Sequence, residues 1–277
     1  MPNTPPALSF RFTRLTTTGK QRTPSLREVM GGEDLTQQAW LFVSPHDDDL
    51  CVGAGMLIQA AVQAQVDVHV LVVTDGCMGY CREDQAEGIV EIRRRETLES
   101  FSILGVPESN VTYIGYPDGG LVPYIGRRLA RTGEQGLEGH VGLQNAFTYY
   151  LRKFRPSRVF VPTHTDLHPD HQITNSELMI SLFHASGAIW PELGPPLKRV
   201  PKLGELAVYC DFSEPPNLEI IGDDRAFQTK LAGIEAYRSQ VQIADLIAGL
   251  RQAGPYEYVR ETVFRLFSPD IYKPLFA

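Results

Sequence analysis

The stretch that decides the fold is Ala39-Trp40-Leu41-Phe42-Val43-Ser44-Pro45-His46-Asp47-Asp48-Asp49-Leu50. Its first half is a short apolar run with aromatic and β-branched side chains, the composition of a strand covered on both faces. It stops at Pro45, crowds an imidazole and three carboxylates into four positions, and then resumes as a helical period over Gly53 to Gln65. The same alternation repeats outward. Strands are expected at Val66 to Thr74, Val111 to Tyr116, Arg158 to Pro162 and Glu205 to Cys210. Helices are expected at Gly88 to Leu104, Gly142 to Phe154, His171 to Phe183 and Asp223 to Gln240. Gly105 reads as a C-cap glycine, and Pro156 stops the helix ending at Phe154 from continuing.

Short apolar runs alternating with helical segments specify an α/β fold, a mostly parallel sheet with helices on both faces in a Rossmann-like arrangement. A chain of 277 residues, 43% hydrophobic, buries one full core, so a single domain over residues 39–277 is expected, preceded by an irregular lead-in over residues 1–38. That lead-in carries Arg11, Arg14, Lys20, Arg22 and Arg27 before its first acid. The proline-rich stretch Pro191 to Pro201 reads as a loop. No apolar run approaches the ~20 residues of a membrane span, and no secretory signal pattern is visible, which points to the cytosol. A formal charge of -7 opposes a nucleic-acid partner, since phosphate binding needs a basic surface. A homo-oligomer is compatible with the sequence. Cys51, Cys77, Cys81 and Cys210 are scattered and read as ordinary thiols.

Ligands of open α/β sheets collect beyond the carboxyl ends of the strands, where strand order reverses. Three such turns hold the chemistry: Pro45 to Asp49, Asp75-Gly76, and Thr163 to His171. Mutual repulsion in His46-Asp47-Asp48-Asp49 is costly unless a cation or an equivalent donor set neutralises it, while an N-cap role accounts for one of the aspartates only. The segment His164-Thr165-Asp166-Leu167-His168-Pro169-Asp170-His171 adds three imidazoles and two carboxylates, donor types that suit zinc. His69, His140 and His184 read as core or surface residues.

His46-x-Asp48-Asp49 together with His168-Pro169-Asp170-His171 resembles the paired signatures of the PIG-L/LmbE family of zinc-dependent N-acetylglucosaminyl deacetylases. Thr74-Asp75-Gly76, Arg93-x-x-Glu96, Leu104-Gly105-Val106, Gly115-Tyr116-Pro117-Asp118-Gly119 and Tyr237-x-Ser239-Gln240 follow in family order, so the likeness runs from Ala39 to Phe267. The resemblance implies that His46, Asp49 and His171 hold Zn2+, another divalent ion such as Fe2+ also suiting the set. It implies further that Asp48 is the general base as activated water attacks the amide carbonyl. His168 would meet the oxyanion, with Asp170 hydrogen-bonded to His168 and favouring its charged form. Arg93 and Asp118 would contact an N-acetylated sugar substrate. The residues themselves leave Arg93 equally readable as a solvated helix charge and Asp118 as a turn residue.

Two departures are visible. Asp47 and Leu50 stand where the family often has proline and a second acid. Asp166 stands where some members carry an aromatic hydroxyl, and as a rim carboxylate it would disfavour anionic substrates. Against a linear-amide hydrolase stand two other readings. One is a metal-dependent glycosyltransferase built on Asp47-x-Asp49, which leaves the His168 to His171 motif unexplained. The other is a non-catalytic sugar-binding protein, which leaves the complete base and ligand set unexplained.

Overall fold

The computed structural model describes residues 7–263 and 268–277; Phe267, the expected end of the likeness, lies outside them, as do the first six residues of the lead-in. The chain opens with β1 (Phe10–Thr16) and β2 (Gly19–Thr23) and a single turn, α1 (Leu26–Val29). Next come β3 (Ala39–Ser44), α2 (Asp49–Gln63), β4 (Asp67–Thr74), α3 (Ile89–Ile103) and β5 (Val111–Tyr116). A two-stranded ribbon, β6 (Arg128–Leu129) with β7 (His140–Val141), precedes α4 (Leu143–Phe154), β8 (Arg158–Pro162) and α5 (Pro169–Ser186). The remainder is β9 (Lys202–Leu206), β10 (Leu218–Gly222), α6 (Asp224–Glu235), α7 (Ile243–Ala253) and β11 (Tyr256–Thr262).

Nine strands form one mixed sheet in the order β2-β1-β10-β11-β9-β8-β3-β4-β5. From β9 to β5 all neighbours run parallel, and from β9 to β2 all run antiparallel. The expected α/β, Rossmann-like single domain is present, with its parallel half extended by an antiparallel one. Alternation along the central strands supplies both faces. Trp40, Phe42, Val68, Val70, Val72 and Phe160 pack with α2, α3, α6 and α7. Leu41, Val43, Leu71, Val73, Val159 and Val161 pack with α4 and α5. Gly105 follows α3 at φ +90, the left-handed conformation its C-cap reading requires.

Several expectations are corrected. The lead-in is not irregular: Phe10 and Phe12 alternate with Arg11 and Thr13 as a strand whose buried side joins the main core. Arg14 finds its partner across the sheet, where it and Arg158 both bond Glu261 on β11. The last parallel strand is Lys202–Leu206 rather than Glu205 to Cys210, because the chain leaves the sheet after Leu206. The helix expected over Asp223 to Gln240 ends at Glu235, freeing Tyr237 to donate to the Asp47 carbonyl at 2.5 Å and Ser239 to bond Glu96.

The helix α2 is broken at Ala54 (φ -144, ψ 15). Its second segment is capped from a distance: Met56 and Leu57 N–H donate to the Glu257 carboxylate at 2.8 and 2.9 Å, and Lys230 Nζ donates to the same group at 2.8 Å. Carboxylate at a helix N-terminus satisfies donors that have no intrahelical partner. The kink separates the first turn, which carries Asp49, from the rest of the helix.

Candidate metal and catalytic site

From β3 the chain moves through α2 to β4 and β5 on one side, then returns through α4 to β8 on the other. The reversal point therefore lies between β3 and β8, and the loops leaving their carboxyl ends diverge around a crevice. His46 enters it from one side and His171, on the first turn of α5, from the other. Thr74 N and Oγ1 donate to the Pro45 carbonyl at 3.1 and 2.8 Å, which pins the first loop to the end of β4.

Three donor atoms converge. His46 Nδ1 lies 3.1 Å from His171 Nε2 and 3.4 Å from Asp49 Oδ2, and His171 Nε2 lies 3.1 Å from the same oxygen. Bonds of about 2.0–2.2 Å in a tetrahedral set put ligand atoms about 3.3–3.6 Å apart. The observed triangle is within a few tenths of an ångström of that. All three side chains are buried. Burial opposes charge on His46, yet Asp49, Asp118 and Asp170 hold its pKa well above the usual imidazole value. Burial likewise opposes charge on His171, and Asp49 more than offsets it. Asp49 is buried too, but the two imidazoles hold its carboxyl well below the usual range. A site of this kind demands positive charge, and two protonated rings cannot supply it, since their N–H groups would point at each other across 3.1 Å. A cation between the three atoms resolves the conflict, so the residues fit a metal. His46 with His168 and His171, and His46 with Asp118 and Asp170, form further groups able to hold one.

The outward nitrogens face carboxylates, although neither makes a well-directed hydrogen bond. His46 Nε2 is 3.1 Å from Asp118 Oδ1 and 3.5 Å from Asp170 Oδ2, and His171 Nδ1 is 3.2 Å from Asp166 Oδ2. Carboxylates behind imidazoles fix the tautomer and ring orientation of metal-binding histidines. Asp166 is fully buried, not a rim charge. Its oxygens accept from the backbone N–H of His168 at 3.1 Å and of Tyr209 at 3.2 Å. Nothing in the sequence marks Asp166 as this junction, because Tyr209 belongs to a different loop.

Asp48 occupies the N-cap of α2 without spending its carboxylate on a cap bond. Beside it, Arg93 forms a two-bond pair with Asp47, Nε to Oδ2 at 2.7 Å and Nη2 to Oδ1. Its Nη2 also lies 3.3 Å from Asp48 Oδ2. Arg93 is therefore not a solvated helix charge; it is buried and pairs with Asp47 and Asp48 through Nε and Nη2, while its Nη1 has no hydrogen-bond partner. Burial pushes the Asp47 carboxyl up to about 6, Arg93 working against it. Asp118, expected on the sugar, lies against His46.

His168 caps α5, its ring Nδ1 accepting from the Asp170 backbone N–H at 3.2 Å. The neutral ring then carries its proton on Nε2. Burial and the neighbouring His46 and His171 lower its pKa, outweighing Asp170 and Asp118. The expected side-chain bond from Asp170 to His168 is thus replaced: Asp170 supplies its N–H to His168, while its Oδ2 accepts from Gly119 N at 2.8 Å and faces His46. His164 stands apart, bonded to Glu205 at 2.8 Å.

The model of a family described as "PIG-L: GlcNAc-PI de-N-acetylase" matches residues 41–181. A diacetylchitobiose deacetylase of Thermococcus kodakarensis is 29% identical over 136 residues, 48% of this chain and 44% of that protein, so the match spans less than half the relative's length. Among solved structures, N,N'-diacetylchitobiose deacetylase from Pyrococcus horikoshii in complex with an inhibitor superposes with a TM-score of 0.66 at 24% identity, over 90% of this chain and 94% of that one. The 4-carboxy-2-hydroxymuconate hydratase GalB of Pseudomonas putida superposes with a TM-score of 0.61 at 16% identity, over 84% and 99%. At these identities the structural likenesses establish a shared fold.

Proposed function

This chain belongs to the PIG-L family, and on that premise we propose that it is a cytosolic, zinc-dependent hydrolase that removes an N-acetyl group from an amino sugar. The observation that carries the proposal is the triangle of His46 Nδ1, Asp49 Oδ2 and His171 Nε2, with the carboxylate of Asp48, free of any capping bond and paired with Arg93, one residue before Asp49. GalB shares the fold, and because a fold hosts many chemistries that likeness by itself assigns none.

His46, Asp49 and His171 would hold the metal. A zinc ion there supplies Lewis acidity, polarising a carbonyl and lowering the pKa of water to about 7. Asp48 accepts the proton of the attacking water, with Arg93 fixing the carboxylate from 3.3 Å. His168 donates its Nε2–H to the oxygen that becomes negative as the carbonyl carbon turns tetrahedral, a role its capping bond prepares by reserving Nδ1 as acceptor. Protonated Asp48 then returns its proton to the departing nitrogen. Water and amide are consumed, and acetate and a free amine are formed. Asp118 and Asp166 orient His46 and His171.

The test is acetate release from a panel of N-acetylglucosaminides by protein reconstituted with zinc, read together with metal stoichiometry. Stoichiometric zinc and equal yields of acetate and amine are expected. A folded, fully loaded protein that releases no acetate from any member of the panel would refute the proposal.

A further inference from the structure

The loop after β9 carries an aromatic ring to the catalytic imidazoles, and the hydrolysis proposed above makes no use of it. The Tyr209 ring centroid lies 5.1 Å from that of His171 and 6.1 Å from that of His168, with interplanar angles of 31° and 30°. Its position is built: the backbone N–H is held by Asp166, the same carboxylate that stands behind His171 and holds the backbone of His168. Yet the residue is 60% exposed. A tyrosine serving the core would be covered, whereas this one is anchored through its backbone and leaves ring surface open beside the reacting groups.

The surroundings narrow what could rest there. The floor of the site is acidic, with Asp47, Asp48, Asp49, Asp118, Asp166 and Asp170 against one arginine and three imidazoles, which repels anions. The rim is apolar: Leu167, adjacent to His168, is 79% exposed, and Met78, near Gly119, is 63% exposed. A phenol is uncharged at neutral pH, so the Tyr209 side chain adds no charge. A group with an apolar C–H face, hydroxyls at its edge and no negative charge matches all of these features, and a pyranose ring is such a group.

We infer that Tyr209 is a specificity-determining residue, the platform on which the uncharged sugar ring carrying the acetamide stacks. The inference rests on the proposed de-N-acetylation and deepens it by naming the residue that holds the sugar ring.

The experiment compares wild type, Tyr209→Ala and Tyr209→Phe, all zinc-loaded. The substrates are methyl N-acetylglucosaminide and the acyclic amide N-acetylethanolamine, and affinity for methyl glucosaminide, the product amine, is measured by calorimetry. Tyr209→Ala should raise KM for the glycoside and weaken product binding by about tenfold, the scale of one lost aromatic stacking contact. It should leave the acyclic amide and zinc content unchanged, and Tyr209→Phe should behave as wild type. Equal product affinity in wild type and Tyr209→Ala overturns the platform. So does a loss of kcat in Tyr209→Phe at unchanged KM, which would assign the work to the hydroxyl. Absence of acetate release by wild type refutes the hydrolase reading instead, and the calorimetric comparison still decides whether Tyr209 holds a sugar.

Discussion

His46 Nδ1 and His171 Nε2 face each other at 3.1 Å across the crevice between β3 and β8, although 125 residues separate them in the chain. Both also approach one oxygen of Asp49. Removing any corner should therefore abolish a metal site, not merely weaken catalysis. His46→Ala, Asp49→Ala and His171→Ala are each expected to purify without stoichiometric zinc, as measured by elemental analysis. Retention of full zinc by all three would place the metal elsewhere.

Asp48→Asn is expected to separate binding from chemistry. The carboxylate spends nothing on capping α2, so zinc content and fold should be preserved while kcat falls by about 10²–10⁴, the usual contribution of a positioned base. The measurement is kcat alongside zinc stoichiometry. A variant within a few-fold of wild-type turnover would remove Asp48 from the reaction.

Asp166→Asn probes the support behind His171. With Asp166 fully buried and 3.2 Å from His171 Nδ1, its replacement should lower zinc affinity by about 10–100-fold, read by competition with a chromophoric chelator. The rim charge expected from the sequence would leave zinc affinity untouched.

Lys230 and Glu257 form a buried pair that also caps the broken α2. Lys230→Met strands a buried carboxylate and should cost about 3–5 kcal/mol in urea denaturation. The double variant Lys230→Met/Glu257→Gln should recover part of that, because the amide oxygen still accepts from the helix. A double variant no more stable than the single one would mean that the pair's charge is not what costs.

Acid stability has a separate source in Glu261. Burial opposes its ionisation, but Arg14 and Arg158 hold its pKa below 4.5. A group whose folded pKa is depressed contributes stability that is complete above its unfolded pKa and is lost as pH falls through the folded one. The stability gap between wild type and Glu261→Gln should thus be constant at neutral pH and shrink below about pH 4.5. Urea midpoints across that range give the measurement. A gap that grows on acidification would reverse the assignment.

Much of this was legible in the residues. Strands β3, β4, β5 and β8 are runs rich in apolar and β-branched residues bounded by turn residues, and the two His/Asp clusters fall at the carboxyl ends of β3 and β8. The antiparallel half was less legible. In β1 and β10 the signal is alternation over five to seven residues, Phe10 with Phe12 and Leu218 with Ile220, and such short runs compete poorly with the prolines and charges around them. Arg93 is equally readable as a solvated charge because it shares a basic run with Arg94 and Arg95. Only helical phase and the position of Asp47, 46 residues earlier, decide which of the three turns inward.

The sequence by itself determined the α/β class, the family likeness and the residue types at the site, because these follow from local periodicity and from donors too crowded to be left without a cation. Tertiary structure alone decided the partnerships: Asp118 and Asp170 on His46, Asp166 on His171 and Tyr209, Arg93 on Asp47 and Asp48. All but the Asp166–His171 contact join atoms on different segments at short range, and such distances are set by how the strands order in the sheet, which no local pattern encodes.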